Sequence, residues 1–210
     1  MAEHRATNPS AKEARGQQIL AAAAELLEKW SYSDITMDRI AERAGVAKGT
    51  LYLYFRTKEA LFLSLHEGRL SAWYSELQTL ADHGANTVDP AAAARVIAST
   101  LAARPILVHL HGLLHSTLSH NIDLESTFDF RRRQRGMISS LAPALAGRID
   151  GLSEADAVRF LIRLEAVVGG LSWAAYPPPS IARAFEEEGL AVFRIDFEEE
   201  LREIVTALLR

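Results

Sequence analysis

"GVAKGTLYLYF", residues 45–55, sets two glycines, a lysine and three aromatic rings close together. Consecutive helical residues are about 100° apart, so no single helical face can bury Tyr52, Leu53, Tyr54 and Phe55 together. The stretch must be divided between core and surface. Leu51 and Phe55 share one face, over which Ile40, Ala41, Ala44 and Val46 can close. On the opposite arc lie Gly49 and Leu53, flanked by Thr50 and Tyr52. Gly49 costs ~1 kcal/mol of helix propensity relative to alanine. Its lack of a side chain suits a helix whose backbone must come close to another surface.

The flanking residues explain which surface. From 17 to 30, Ile19, Ala23, Leu26, Leu27 and Trp30 form one helical stripe, which breaks at "SYSD". Thr36 is the expected N-cap of a short helix, "MDRIAERA", with Asp38 in its first turn and Gly45 at its end. A second short helix is predicted over about 47–53, and Thr57 caps a long one opening "KEALFLSLHEGRL". Two short helices joined by a tight glycine turn fit the helix-turn-helix, whose second helix enters the DNA major groove. In that setting the Tyr52 and Tyr54 hydroxyls donate to phosphates while Lys48 and Lys58 supply charge. Base readout falls to Thr50, to Ala47 and Leu53 through thymine methyls, and to Lys48 where it reaches guanine. One such motif contacts a half-site, so a homodimer on a palindromic operator in double-stranded DNA is expected.

The segment "ITMDRIAERAGVAKGTLYLYFRTKEALF", 35–62, with "ILAAAAELL" before it, resembles the DNA-binding domain of the TetR family of transcriptional regulators. The resemblance places Thr36, Tyr52, Tyr54 and Lys58 on phosphate-contacting positions, and Ala47, Lys48, Gly49, Thr50 and Leu53 on groove positions. Ser31 stands where the family commonly has glycine, and Leu53 where a larger polar or aromatic residue is frequent. Readout at Leu53 is therefore expected to be weak or methyl-directed.

Beyond residue 65 every periodicity is again helical, so the fold class is all-α. "HGANTVDP", 83–90, reads as a loop with Asp89 capping and Pro90 opening a helix of about 90–103. Further helices are expected over 105–120, 124–146 and 154–176, and a last one carries Phe197, Leu201, Ile204, Val205 and Leu208. The reading is thus a domain of residues 1–65, with 1–12 a disordered arm, and an effector-binding and dimerisation domain of 66–210. The resemblance implies that the last two helices of each subunit form the dimer interface and the middle ones surround an effector cavity. The interface is expected to use Phe160, Leu164, Val168, Leu171, Leu201, Ile204, Val205 and Leu208, with Gly169 and Gly170 admitting a close partner helix. Pocket candidates are Trp73, His109, His111, His115, Phe128, Trp173 and Tyr176, for a largely apolar small-molecule effector. An arginine of "RRRQR", 131–135, is a candidate for an anionic effector group. The long helix from Thr57 joins the two domains and is the expected lever.

Net charge is −4 but uneven, with +1 over residues 1–70 and −5 over 71–210. DNA binding must therefore rest on the placement of a few residues. The absence of cysteine removes disulfides and thiolate chemistry. His111 and His115 have a metal-compatible i, i+4 spacing, but no third ligand is placed to match, so no metal and no cofactor are expected. "HLHGLLH" also lacks the glutamate of a metalloprotease helix. No nucleophile with its base and no phosphate loop can be assembled, so an enzyme is not expected. No apolar leader or membrane span is visible, which predicts a cytoplasmic protein. Two functions remain open: a repressor released by an effector, and an autoregulatory or architectural DNA-binding factor without one.

Overall fold

A computed structural model of the chain describes residues 9–84, 86–116, 122–177 and 179–210, the side chains of 9, 115, 116 and 179 excepted. All its named elements are helical. The one β contact among the described residues is an isolated parallel bridge between Val88 and Ile149. The helices are α1 (Pro9–Leu27), α2 (Met37–Ala44), α3 (Lys48–Tyr54), α4 (Lys58–Asp82), α5 (Pro90–Ala102), α6 (Pro105–Ser116), α7 (Leu124–Arg148), α8 (Glu154–Ala175), α9 (Pro179–Ala184) and α10 (Phe197–Leu208). The chain divides into two compact units, Met1–Leu65 and His66–Arg210.

In the first unit α1 begins at Pro9, so residues 9–12 are helical and not part of an arm; residues 1–8 lie outside the described residues. α1 ends at Leu27, which leaves Trp30 outside the stripe and exposed, its ring 4.5 Å from the Arg39 guanidinium. Thr36 caps α2 as expected, its hydroxyl accepting from the Arg39 amide at 3.3 Å. Gly45 ends α2 at φ 64°, a left-handed conformation that glycine adopts without a Cβ penalty. Gln18 of α1 donates to the last carbonyl of α2, Ala44, at 2.7 Å. Thr57 caps α4 by accepting from the Ala60 amide at 3.0 Å.

The second unit is built around α8, which packs on α6, α7 and α10, while α10 also packs on α5. Asp89, Asp123, Ser153 and Asp196 each cap the following helix with a side-chain oxygen. α6 and α8 meet closely: a Cβ on Gly112 would run into the Ser172 hydroxyl. The predicted 105–120 helix reaches Ser116, and residues 117–120 lie outside the described residues. No single described helix is long and apolar enough to cross a membrane; the apolar pair α5 and α6, bent by 88°, supplies Ile97, Leu101, Leu107 and Val108 to the core.

Candidate nucleic-acid interface

α3 is short and buries only Leu51 completely. Of the residues expected at the groove and the phosphates, Ala47, Lys48, Gly49, Tyr52 and Leu53 are exposed, and Thr50 is half-buried. Leu53 is 81% exposed and adds nothing to the domain core. A Cβ on Gly49 would meet nothing within 4 Å, so this glycine answers no packing demand inside the chain. Phe55 departs from the expectation of full burial. It is half-buried and, with Tyr54, Gly16 and Leu20, lines a shallow groove against α1. The Tyr54 ring leans on α1 at Gly16, where a Cβ would sit 3.8 Å from Cδ1.

The two lysines are already engaged. Lys48 Nζ lies 2.7 and 2.9 Å from the two carboxylate oxygens of Asp38, at the start of α2. Both groups are solvent-exposed, so the pair is labile and worth little. Lys58, expected to contact phosphate, is held within the chain. Its ammonium donates to the carbonyls of Tyr32 (2.9 Å) and Ile35 (3.0 Å) and stands 4.0 Å from the Tyr32 ring centroid. Burial pushes its pKa below the usual lysine value. Tyr32 itself was not legible as a site residue. It sits in a 3₁₀ turn, Tyr32–Asp34, packs edge-on against Phe62 at 5.1 Å, and donates to Glu59 at 3.1 Å.

The expected sites of the second unit are rearranged. Phe160, Leu164, Val168, Leu201 and Val205 are buried in the chain's own core, and Leu171 and Leu208 pack on that core partly buried, with Ile204 half-buried. They are taken by intramolecular packing, the strongest demand on an apolar stripe. Gly169 is buried too, on the α6 side. The face α8 leaves exposed is Ile162, Ala166, Gly170 and Trp173, with Trp173 62% exposed.

The pocket residues do not converge either. Trp73 is core, donating its indole N–H to Thr100 at 3.1 Å, whereas His109, Phe128, Trp173 and Tyr176 are exposed. The side chain of His115 lies outside the described residues. His111 is buried, its Nδ1 3.0 Å from the Leu107 carbonyl and 3.3 Å from Nε2 of His66. Of "RRRQR" the inward residue is Gln134, not an arginine. Arg132 pairs with Asp129 at 3.2 Å and Arg133 with Glu67 at 2.7 Å. Arg131 donates to Gln134 at 2.7 Å, and Gln134 donates to the buried Glu165 carboxylate, which also accepts from Tyr74 at 2.7 Å. Burial holds Glu165 above the usual carboxylate range despite those donors. Sequence reasoning missed His66 and this network because its members are far apart in the chain.

Two short helices about a left-handed glycine, the second presenting an exposed glycine and leucine beside tyrosine hydroxyls, define a helix-turn-helix DNA-binding domain on an all-α unit, the build of a transcriptional regulator. Residues 19–65 match the family described as bacterial regulatory proteins, tetR family, and residues 67–210 match the tetracyclin repressor-like C-terminal domain. The chain belongs to the TetR family of DNA-binding transcriptional regulators.

Among its relatives, the HTH-type transcriptional regulator EthR of Mycobacterium tuberculosis is 40% identical over 83 residues, 40% of this chain and 38% of that protein. The fatty acid metabolism regulator protein of Bacillus subtilis is 34% identical over 67 residues, 32% of this chain and 34% of that protein. The chain thus spans under two fifths of the length of these relatives. Among solved structures, FadR from Bacillus subtilis in complex with stearoyl-CoA covers 92% of this chain and 99% of its own, with TM-score 0.55 at 19% identity. A TetR transcriptional regulator from Rhodococcus sp. RHA1 covers 94% and 96%, with TM-score 0.56 at 20% identity. These structures share the fold.

Proposed function

We propose that the chain is a cytoplasmic homodimeric repressor that occupies a palindromic operator through α3 and is released by a small-molecule effector bound in the second unit. The carrying observation is the outward face of α3, where Gly49 and Leu53 have no packing role and Thr50, Tyr52 and Tyr54 flank them. Thr50 and Leu53 read base edges, with Ala47 and Gly49 setting the approach. Thr36, Tyr52 and Tyr54 hold phosphates. Lys48 changes partner from Asp38 to DNA, while Lys58 positions the turn that carries Tyr32 and Ile35. The dimer forms on the exposed α8 face of Ile162, Ala166, Gly170 and Trp173, where the small residues admit a close helix and Trp173 anchors it.

An effector of apolar character is supported by the stearoyl-CoA in the Bacillus subtilis FadR structure, and the range of effectors by the multidrug binding protein EbrR complexed with imidazole. Release follows from differential affinity: the effector prefers the conformer that mismatches the operator. The continuity of α4 from Lys58 to Asp82 supports its role as the link. The proposal contains no chemical step, and regulation without catalysis is the family's work. Titrating the protein on its selected operator with apolar, acyl and aromatic compounds tests it. Saturable release by one class is expected, and no release by any of them favours a DNA-binding factor without an effector.

A further inference from the structure

α4, α5 and the end of α7 enclose an open cleft of about 200 Å³ that none of the expected pocket residues lines. Its walls are Leu77, Leu80, Ala93, Val96 and Ile97, and Arg148 supplies the charged lining residue. Leu80 and Val96 are exposed large apolar residues at its edge. Arg148 is unusual in three ways. It makes no ion pair among the described residues, although the other two half-buried arginines are matched, Arg104 to Glu76 and Arg202 to Glu199 and Glu203. Its Nη1 is buried with no hydrogen-bond acceptor. And its guanidinium lies against Gly84, where any Cβ would collide with it, so a glycine makes the room it occupies. The backbone there is pinned: the Arg148 carbonyl accepts from the Val88 amide at 2.8 Å, and the Asp150 amide donates to the Val88 carbonyl at 2.9 Å.

A planar guanidinium with unused donors beside an apolar wall calls for a planar anion with an apolar body. A single positive group among aliphatic side chains has no means of neutralising a phosphate's second charge. The volume lies below the ~300–1,000 Å³ usual for drug-sized ligands, which leaves no room for a long acyl chain or a nucleotide. We infer that the α4–α5–α7 cleft binds a small monocarboxylate with an aliphatic or aryl-alkyl body, its carboxylate on Arg148 and its body covering Leu80 and Val96. This deepens the effector reading above, and as a regulatory site it rests on that reading.

Octanoate is the probe and octanol its uncharged control, measured by calorimetric titration of the full chain. Saturable binding of octanoate at one site per chain is expected, with octanol at least about tenfold weaker. Arg148→Met should weaken octanoate about tenfold or more, because it removes the charge and keeps the apolar stem. Val96→Glu changes an exposed residue, leaves the fold intact, and should weaken it comparably by setting a negative charge at the mouth. No saturable binding, equal binding of octanol, or undiminished binding to Val96→Glu would overturn the inference, even were Arg148→Met unfolded. Release of operator DNA is read separately. Binding without release leaves the site standing and sinks only its regulatory role, whereas release of operator that persists in Val96→Glu places the effector elsewhere.

Discussion

Lys48, at the start of α3, is tied to Asp38, at the start of α2, by contacts of 2.7 and 2.9 Å to the two carboxylate oxygens. The pair spans the turn and sets a negative charge on the face expected to meet a polyanion. Asp38→Asn should therefore free Lys48 for phosphate and raise affinity for all duplexes about equally. The log–log salt slope should steepen by roughly one unit. Fluorescence anisotropy at several salt concentrations checks this, and an unchanged slope would assign Lys48 to base readout or to no contact.

Lys58→Met should destabilise the first unit. Two carbonyls, of Tyr32 and Ile35, lose a shared charged donor, and bonds to charged groups contribute about 1.5–3 kcal/mol. Denaturant unfolding followed at the tyrosines measures the loss. A stability equal to wild type, with DNA affinity alone reduced, would return Lys58 to the phosphate-binding set.

The Glu165 carboxyl is held above its usual range by burial, so the folded state binds its proton more tightly than the unfolded chain does. Its contribution to stability is therefore present below the unfolded pKa and is lost as pH rises through the folded one. Tyr74→Phe removes a donor to the ionised form and moves the folded pKa further up. The variant should lose roughly 1–3 kcal/mol at about pH 8 and clearly less at about pH 5. Unfolding curves at both values decide, and an equal loss would mean that Glu165 stays protonated throughout.

Ile162→Glu and Trp173→Ser should convert a dimer into a folded monomer, since both side chains are exposed on one face of α8. Leu164→Ala should instead cost about 2–5 kcal/mol of bundle stability, because that residue is fully buried. Light scattering with chromatography, paired with circular dichroism, separates the two effects.

The division of α3 into a buried Leu51 and an exposed Gly49, Tyr52 and Leu53 was legible because a 3.6-residue period sorts any short helix by itself. The caps at Thr36, Thr57 and Asp89 were legible for the same reason, as each is local. Which apolar face of α8 the chain's own core takes was not. α8 carries two apolar faces, and the stronger, Phe160 to Val168, goes to the core, leaving the weaker one of Ile162, Ala166, Gly170 and Trp173 outside. Tyr32 sits in a 3₁₀ turn without periodicity, and its partners Lys58 and Glu59 lie more than twenty residues on. Arg148 at the cleft shows the same limit, since its neighbours Gly84 and Val88 are local to nothing in its own helix.

Sequence reading by α3 in a two-fold dimer is tested by selecting bound duplexes from a random pool with the full chain. An enriched inverted repeat is expected, in which Thr50→Ala changes the preferred base at one position per half-site and Tyr54→Phe weakens every sequence alike. Recovery of no motif, of one without two-fold symmetry, or of a motif that Tyr54→Phe changes and Thr50→Ala does not, would contradict it.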